Sequence, residues 1–265
     1  MKNTMKIIGW VLFTCLVLVV LGFVDAKEES VALQDPSIRI EKGGGHTFIT
    51  EDGAKELLND LGYSFKNQDA SQLELDRIEA ELSEVPGVES VEAYTFSNGE
   101  VAIEIKQQTP IARVILYDGK MGCYLDESGK QIPLSKSYVA KVPVFSGHIH
   151  EPYNDIPEVS EITVNDSIAD LHVIDDIYKV AKALHNRPFL KDLALQFYVN
   201  AKDEFEMIPR VGNHRILLGK AERLNDKFKR LENFYTSTSI DPREYNMFDT
   251  INLKYKKQLV CSHIN

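Results

Sequence analysis

Only three of the 265 residues are cysteine and only one is tryptophan. A chain this long with three cysteines has no disulfide framework, so its fold must rest on packed apolar cores. Positive charge is also in short supply: 30 Lys and Arg face 40 Asp and Glu, a formal net charge of −10. A body of that sign lacks the general basic field that grips phosphate backbones, which argues against nucleic acid as a partner. The deficit is uneven. Residues 1–208 hold 19 Lys and Arg against 34 Asp and Glu, whereas Pro209 to Asn265 holds 11 against 6, so the C-terminal end is locally basic.

Catalytic motifs are missing too. There is no Gly-x-Ser-x-Gly elbow, no Cys-x-x-Cys pair and no His-Glu-x-x-His helix. Gly43-Gly44-Gly45 lacks the lysine and spacing of a phosphate loop and reads as a turn. Asp175 and Asp176 are adjacent, which points them about 100° apart on a helix, and read as solvated charges. His148-Ile149-His150-Glu151 can put two imidazoles on one face of a strand, but zinc wants three protein ligands in catalytic use and four in structural use. No catalytic, cofactor or metal site is therefore expected.

Long apolar runs are absent with one exception. From Ile7 to Val24 no residue is charged, and 13 of the 18 are Ile, Leu, Val or Phe. In a helix this run covers roughly 27 Å, close to the hydrocarbon core of a bilayer. Lys2 and Lys6 precede it, while Asp25, Glu28 and Glu29 follow it around Lys27. The positive-inside bias then places the N-terminus in the cytoplasm and the body outside. Residues 1–26 are expected to be a cytoplasmic tip and transmembrane anchor, and 27–36 a linker. The competing reading is a signal peptide cut after Ala26, but the run exceeds a usual h-region of roughly 7 to 15 residues. Leu12-Phe13-Thr14-Cys15 departs from a lipoprotein box at Thr14. Cys15 falls inside the apolar run, so Cys123 and Cys261 remain in a compartment where they can pair or be buried as small apolar residues.

Beyond the linker, the pattern is first helix-bearing and then strand-rich. Ser37 to Ile40 alternates like a strand. Thr50 can cap a helix with Ala54, Leu57, Leu58 and Leu61 at helical spacing, ended by Gly62. Ser71-Gln72-Leu73-Glu74 has the form of a capping box before Leu75, Ile78, Leu82 and Val85, and Pro86-Gly87 stops that helix. Val88 to Phe96 and Glu100 to Lys106 read as a hairpin around Asn98-Gly99. After Thr109-Pro110 come many short strands, with helices expected over Ile168 to His185 and Ala221 to Tyr235. The sequence predicts an α+β protein with a domain over 37–108 and a β-rich domain with two helices over 109–265. A last strand is expected over Ile251 to Cys261. Ile251, Leu253, Tyr255, Leu259 and Cys261 share one face, interrupted by Lys257, and Asn252, Lys254, Lys256 and Gln258 share the other.

This organisation resembles the FtsQ/DivIB family of bacterial cell-division proteins: an anchor, a POTRA domain and a β domain. The resemblance is carried by Val85-Pro86-Gly87-Val88-Glu89-Ser90-Val91, Gln108-Thr109-Pro110-Ile111-Ala112-Arg113, Tyr124 to Lys130, Val142 to Gly147, Gly212 to Gly219, and Ile251-Asn252-Leu253-Lys254-Tyr255. Two departures stand out: only six residues precede the apolar run, and Asn252 and Lys254 stand where relatives often carry Asp and Arg. The resemblance implies a non-catalytic bitopic scaffold of the divisome, sited at the division septum in the inner membrane, that recruits FtsB/FtsL-type coiled-coil partners. The terminal strand residues Ile251, Asn252, Leu253, Lys254, Tyr255 and Lys256 are the expected docking edge, met by β-strand addition. The alternatives are a POTRA-bearing envelope protein that handles exported polypeptides and an anchored metal hydrolase using His148 and His150.

Overall fold

The computed structural model describes residues 10, 13–19, 33–65, 73–117, 119, 122–135, 138–150, 173–237 and 242–264. Residues 10 and 13–19 are helical, and the rest of the apolar run from Ile7 to Val24 lies outside the described residues. Among the described residues no helix is long and apolar enough to cross a membrane. The chain divides into two compact units, Met1–Glu41 with Ile49–Gln107, and Lys42–Phe48 with Gln108–Asn265.

The first unit runs β1 (Ser37–Glu41), α1 (Glu51–Asp60), α2 (Leu75–Ser83), β2 (Val88–Thr95) and β3 (Val101–Gln107). Its three strands lie in the order β1-β3-β2, with β3 antiparallel to β2 and parallel to β1. Thr50 caps α1 as its position suggests, its hydroxyl accepting from Gly53 N at 3.1 Å. The capping box is not used. Helix α2 begins at Leu75 with Glu74 as its cap residue. The Glu74 carboxylate meets Arg77 at 3.4 Å instead of reaching back, and Ser71 and Gln72 lie outside the described residues. Alternation along β3 turns Val101, Ile103 and Ile105 inward, where they are fully buried under Ala54, Leu58, Ile78 and Leu82 of the two helices.

The second unit is built on a nine-stranded mixed sheet. Its strands are β4 (Pro110–Ile115), β5 (Gly122–Asp126), β6 (Gln131–Pro133), β7 (Val144–Gly147), β8 (Ala194–Val199), β9 (Phe205–Pro209), β10 (Arg215–Gly219), β11 (Phe248–Asn252) and β12 (Val260–His263). Their order is β12-β11-β10-β9-β8-β7-β4-β5-β6, and β4–β7, β7–β8 and β10–β11 are parallel pairs. Helices α3 (Val173–His185), α4 (Pro188–Leu193) and α5 (Leu224–Thr236) share one apolar core with the sheet, in which Phe145 stacks on Phe197 at 4.8 Å between ring centroids. The N-terminal part of the helix expected from Ile168 lies outside the described residues, and α4 is an addition to the two helices expected. A smaller cluster joins Phe48 to Tyr124, Ile132 and Ala140 within this unit.

Two expectations are corrected here, and one question left open is settled. The strand foreseen over Ile251 to Cys261 is two strands, β11 and β12, paired antiparallel with Ile251 opposite Cys261. Asp175 is fully buried and pairs with Lys179; only Asp176 behaves as a partly solvated charge. Cys123 on β5 and Cys261 on β12 are separated by seven strand steps in the sheet order. At about 4.8 Å a step that is roughly 30 Å, against the roughly 4.4 to 6.8 Å between Cα atoms that a disulfide requires.

Candidate partner-docking edge

The C-terminal end of the nine-stranded sheet grows from a β-α-β unit. Strand β10 leads through α5 to β11, which lies parallel to it with Ile216 opposite Ile251. The inward residues Ile216, Leu218, Ile251 and Leu253 are almost wholly buried, as are Phe228 and Leu231 on the facing stripe of α5. Each backbone edge of β11 is taken, one by β10 and the other by β12. An incoming strand therefore has no access to β11.

Between the two strands the chain makes a turn held from several sides. Lys257 sits in the left-handed region at φ 60, which reverses the chain and ends the alternation that the sequence carries across it. Arg230 on α5 donates to the carbonyl of Leu253 at 3.3 Å and to that of Gln258, and its Asp226 partner lies at 3.0 Å. Arg223 donates to the carbonyl of Lys254 at 3.3 Å. The Lys254 ammonium bonds both carboxylate oxygens of Glu204 at 3.0 Å, and this bond holds the Glu204 carboxyl below its usual range. Gly219 at φ 74 lies beneath the Lys254 chain; a Cβ there would come within 2.9 Å of Lys254 Cγ.

The six residues expected to dock a partner are thus divided. Ile251 and Leu253 are wholly buried in the core, Asn252 accepts from Lys254 N at 3.0 Å, and Lys254 is tied to Glu204. Only Tyr255 and Lys256, on the turn, stand clear of the fold, Tyr255 with half its surface exposed. The residues that sequence reading missed as a separate edge are Val260 to His263. Lys257, which broke the apolar stripe, was the available signal.

Strand β12 is an outer strand of the sheet, and its exposed flank carries Val260 and, just beyond, Ile264. Hydroxyls of Thr250 and Ser262 meet at 2.5 Å across the β11–β12 pair, and the Ile264 N–H donates to the carbonyl of Met247 at 3.0 Å. Burial pushes the Cys261 thiol up, and its side chain packs partly buried against the core. The opposite edge of the sheet differs. Strand β6 has three residues and ends in Pro133, which lacks an N–H to offer.

Beneath this edge lies a buried polar group. His214 is almost wholly enclosed, with Nδ1 at 3.1 Å from the carbonyl of Tyr245 and Nε2 at 2.5 Å from the hydroxyl of Tyr235. A carbonyl only accepts, so Nδ1 carries the proton and Nε2 accepts from the phenol. Burial pushes the His214 pKa down and that of the Tyr235 phenol up. The Tyr245 hydroxyl donates to the carbonyl of Tyr235 at 3.1 Å, closing a link between α5 and the 3-10 turn Pro242–Met247 that feeds β11.

His148 and His150 do approach each other, their ring centroids 5.7 Å apart with Tyr117 against both. Among the described residues no group of three His, Cys, Asp or Glu is placed to hold a metal ion, and Glu151 lies outside them.

A small sheet covered by two helices, followed by a long mixed sheet with helices in its core, is the build of a POTRA-like domain joined to a β domain. Comparison with protein families agrees: residues 34–106 match the POTRA-like domain, and residues 109–262 match the family described as FtsQ/DivIB, C-terminal related. The second match covers more than half of the chain, which belongs to the FtsQ/DivIB family. No curated protein matches the chain. The two domains suggest a cell-division scaffold, and members of the family are generally non-catalytic and membrane-anchored.

Proposed function

We propose that this protein is a bitopic scaffold of the bacterial divisome that receives an FtsB/FtsL-type partner strand on the outer edge of β12. The observation that carries the reading is the contrast between the sheet's two ends: β6 is short and proline-ended, whereas Val260–His263 is an edge without proline or lysine, beside a basic turn bearing exposed Tyr255 and Lys256. A strand added there would gain backbone hydrogen bonds, with Val260 and Tyr255 offering apolar contact. The local positive charge favours an acidic partner segment and speeds its encounter. The sequence adds the charge-flanked apolar run from Ile7 to Val24 as the anchor, with the N-terminus inside and the body outside the inner membrane.

Two experiments test this reading. Co-purification of the intact protein with small single-pass coiled-coil division proteins supports the scaffold; recovery of unrelated exported polypeptides instead would favour the other envelope role. Protease added to spheroplasts should digest the body while the protein stays membrane-bound. Release of a soluble body beginning at Lys27 would overturn the anchor.

A further inference from the structure

Where β7 runs out in the large sheet, the backbone holds two histidines in fixed places. Ile149 is wholly buried in the core, so its neighbours on either side turn the other way: His148 is half-buried and His150 exposed. The His148 N–H donates to the carbonyl of Val199 on β8 at 2.9 Å, and the Tyr117 N–H, just past β4, donates to that of Ile149 at 2.9 Å. Gly147, at φ 111, lets the chain pass this close to β8; a Cβ there would collide with the Val199 carbonyl. The pair is thus tied to a strand end on both sides, which limits how far the two side chains can drift apart.

The rings themselves are close. Their centroids lie 5.7 Å apart with planes crossing at 63°. Exposed Tyr117 packs against both, 5.3 Å from His148 and 4.3 Å from His150, and Tyr198 stands perpendicular to His148 at 6.5 Å. The Tyr117 ring is tilted 41° and 37° to the two imidazoles, nearer stacked than edge-on. An imidazole binds metal in its own plane through a nitrogen lone pair, so this packing steadies the rings and leaves their nitrogens open. Among the described residues no hydrogen bond or ion pair engages either imidazole. Two imidazoles on one ion, with nitrogen–metal bonds of about 2.0–2.1 Å, have centroids roughly 4.5 to 6.4 Å apart, depending on the angle between the bonds. The observed spacing falls inside that range.

We propose that His148 and His150 together bind one late first-row divalent metal ion per chain, Cu²⁺ in preference to Ni²⁺ or Zn²⁺, with water in the remaining positions. Imidazole suits all three ions, and Cu²⁺ stands highest in the general order of affinity. Spacing in the sequence shows only that the two side chains can share a face; the structure brings their rings near enough to share an ion. Two protein ligands fall short of the three that a catalytic zinc keeps, so the ion is exchangeable and its open positions are free for further ligands. Neither the anchor nor the scaffold reading is needed for this site.

The test uses the full-length protein in detergent, without a histidine tag, titrated with Cu²⁺, Zn²⁺ and Mg²⁺ by isothermal calorimetry. Wild type should bind Cu²⁺ more tightly than Zn²⁺ and should not bind Mg²⁺, which takes oxygen ligands. Partners outside the first ring of ligands are worth roughly 10–100-fold in metal affinity, and a ligand is worth at least as much. His148→Ala and His150→Ala should therefore each weaken Cu²⁺ binding by about tenfold or more, and the double variant should lack one bound ion per chain. Tyr117→Phe keeps the packed ring and should bind as the wild type does. A thermal melt checks folding, and His150→Ala, at the exposed ring, decides the question if His148→Ala is unstable. Unchanged Cu²⁺ binding in the folded double variant overturns the site. One ion per two chains, with dimers in analytical ultracentrifugation, overturns it in favour of four imidazoles bridging two copies. Loss of binding in Tyr117→Phe overturns the two-imidazole assignment, because the phenol is then a ligand.

Discussion

The two units expose their strand edges differently and distribute their titratable groups differently. In the POTRA-like unit the Glu79 carboxylate accepts from the Ala93 N–H of edge strand β2 at 2.6 Å, so a side chain of the same domain covers part of that edge. In the β domain one edge is stopped by Pro133, and β12, with Val260, Cys261, Ser262 and His263, carries neither proline nor lysine. All seven histidines fall in the second unit as divided, and none in the first. An edge that is covered or stopped resists strand addition, and one left open is where pairing with another chain is expected.

The largest expected effect concerns the cores. Phe197→Ala removes a ring stacked on Phe145 in the β domain and should cost about 3–5 kcal/mol, read as a lower denaturant midpoint. Ile103→Val in the POTRA-like core should cost about 0.5–1.5 kcal/mol. If the units unfold separately, each substitution will shift one transition only. A single shared transition that moves with both would break the comparison.

Arg230→Ala removes the donor that holds the Leu253 and Gln258 carbonyls, and about 1–3 kcal/mol of local stability should go with it. Hydrogen exchange should speed up in β12 and its turn and remain unchanged in β2 and β3. Equal protection in wild type and variant would show that Arg230 does not fasten the turn.

Acidity should separate the units as well. Burial is the main cause that lowers the pKa of both His214 and His46, so the unfolded chain takes up these protons first as pH falls. Their contribution is complete above about pH 6.5, the ordinary histidine value, and declines as pH drops below it toward the lowered folded values. The β domain should therefore lose stability between neutral pH and about pH 5 by a route the POTRA-like unit lacks. His214→Gln should flatten that slope in a pH series of melts; an unchanged slope would assign it to other groups.

Lys254→Ala should have the smallest effect, at most about 1 kcal/mol, because the Glu204 pair is partly exposed and screened by salt. Its loss should fade in high salt, and a cost that persists there would point to packing of the Lys254 chain over Gly219.

Much of the POTRA-like unit was legible because its signals are local. Thr50 before a helical stripe, Pro86-Gly87 after one, and Asn98-Gly99 between alternating runs each fix their neighbours' conformation within a few residues. The β domain was legible as strand-rich but not in its order. Parallel pairs such as β4–β7 and β10–β11 join segments far apart in sequence, and side-chain alternation does not state which strand lies beside which. The extent of the terminal strand was misread for a narrower reason. Ile251, Leu253, Leu259 and Cys261 keep one parity through the turn, so two short strands imitate one long strand, and the positive φ of Lys257 is not something a lysine advertises. The short helix α4, six residues long, offers too little periodicity to be read.

The central claim is that the outer edge of β12 receives the partner strand, and proline substitution addresses it most directly. Successive residues of a strand direct their N–H groups to opposite edges, so of Cys261→Pro and Ser262→Pro one removes a donor facing β11 and the other a donor facing outward. With the full-length protein and an FtsB/FtsL-type partner, binding and melting should part company. The outward variant should melt normally and lose partner binding, and the inward variant should loosen the β11–β12 pair. If both variants remain folded and both bind the partner as the wild type does, β12 is not the docking edge.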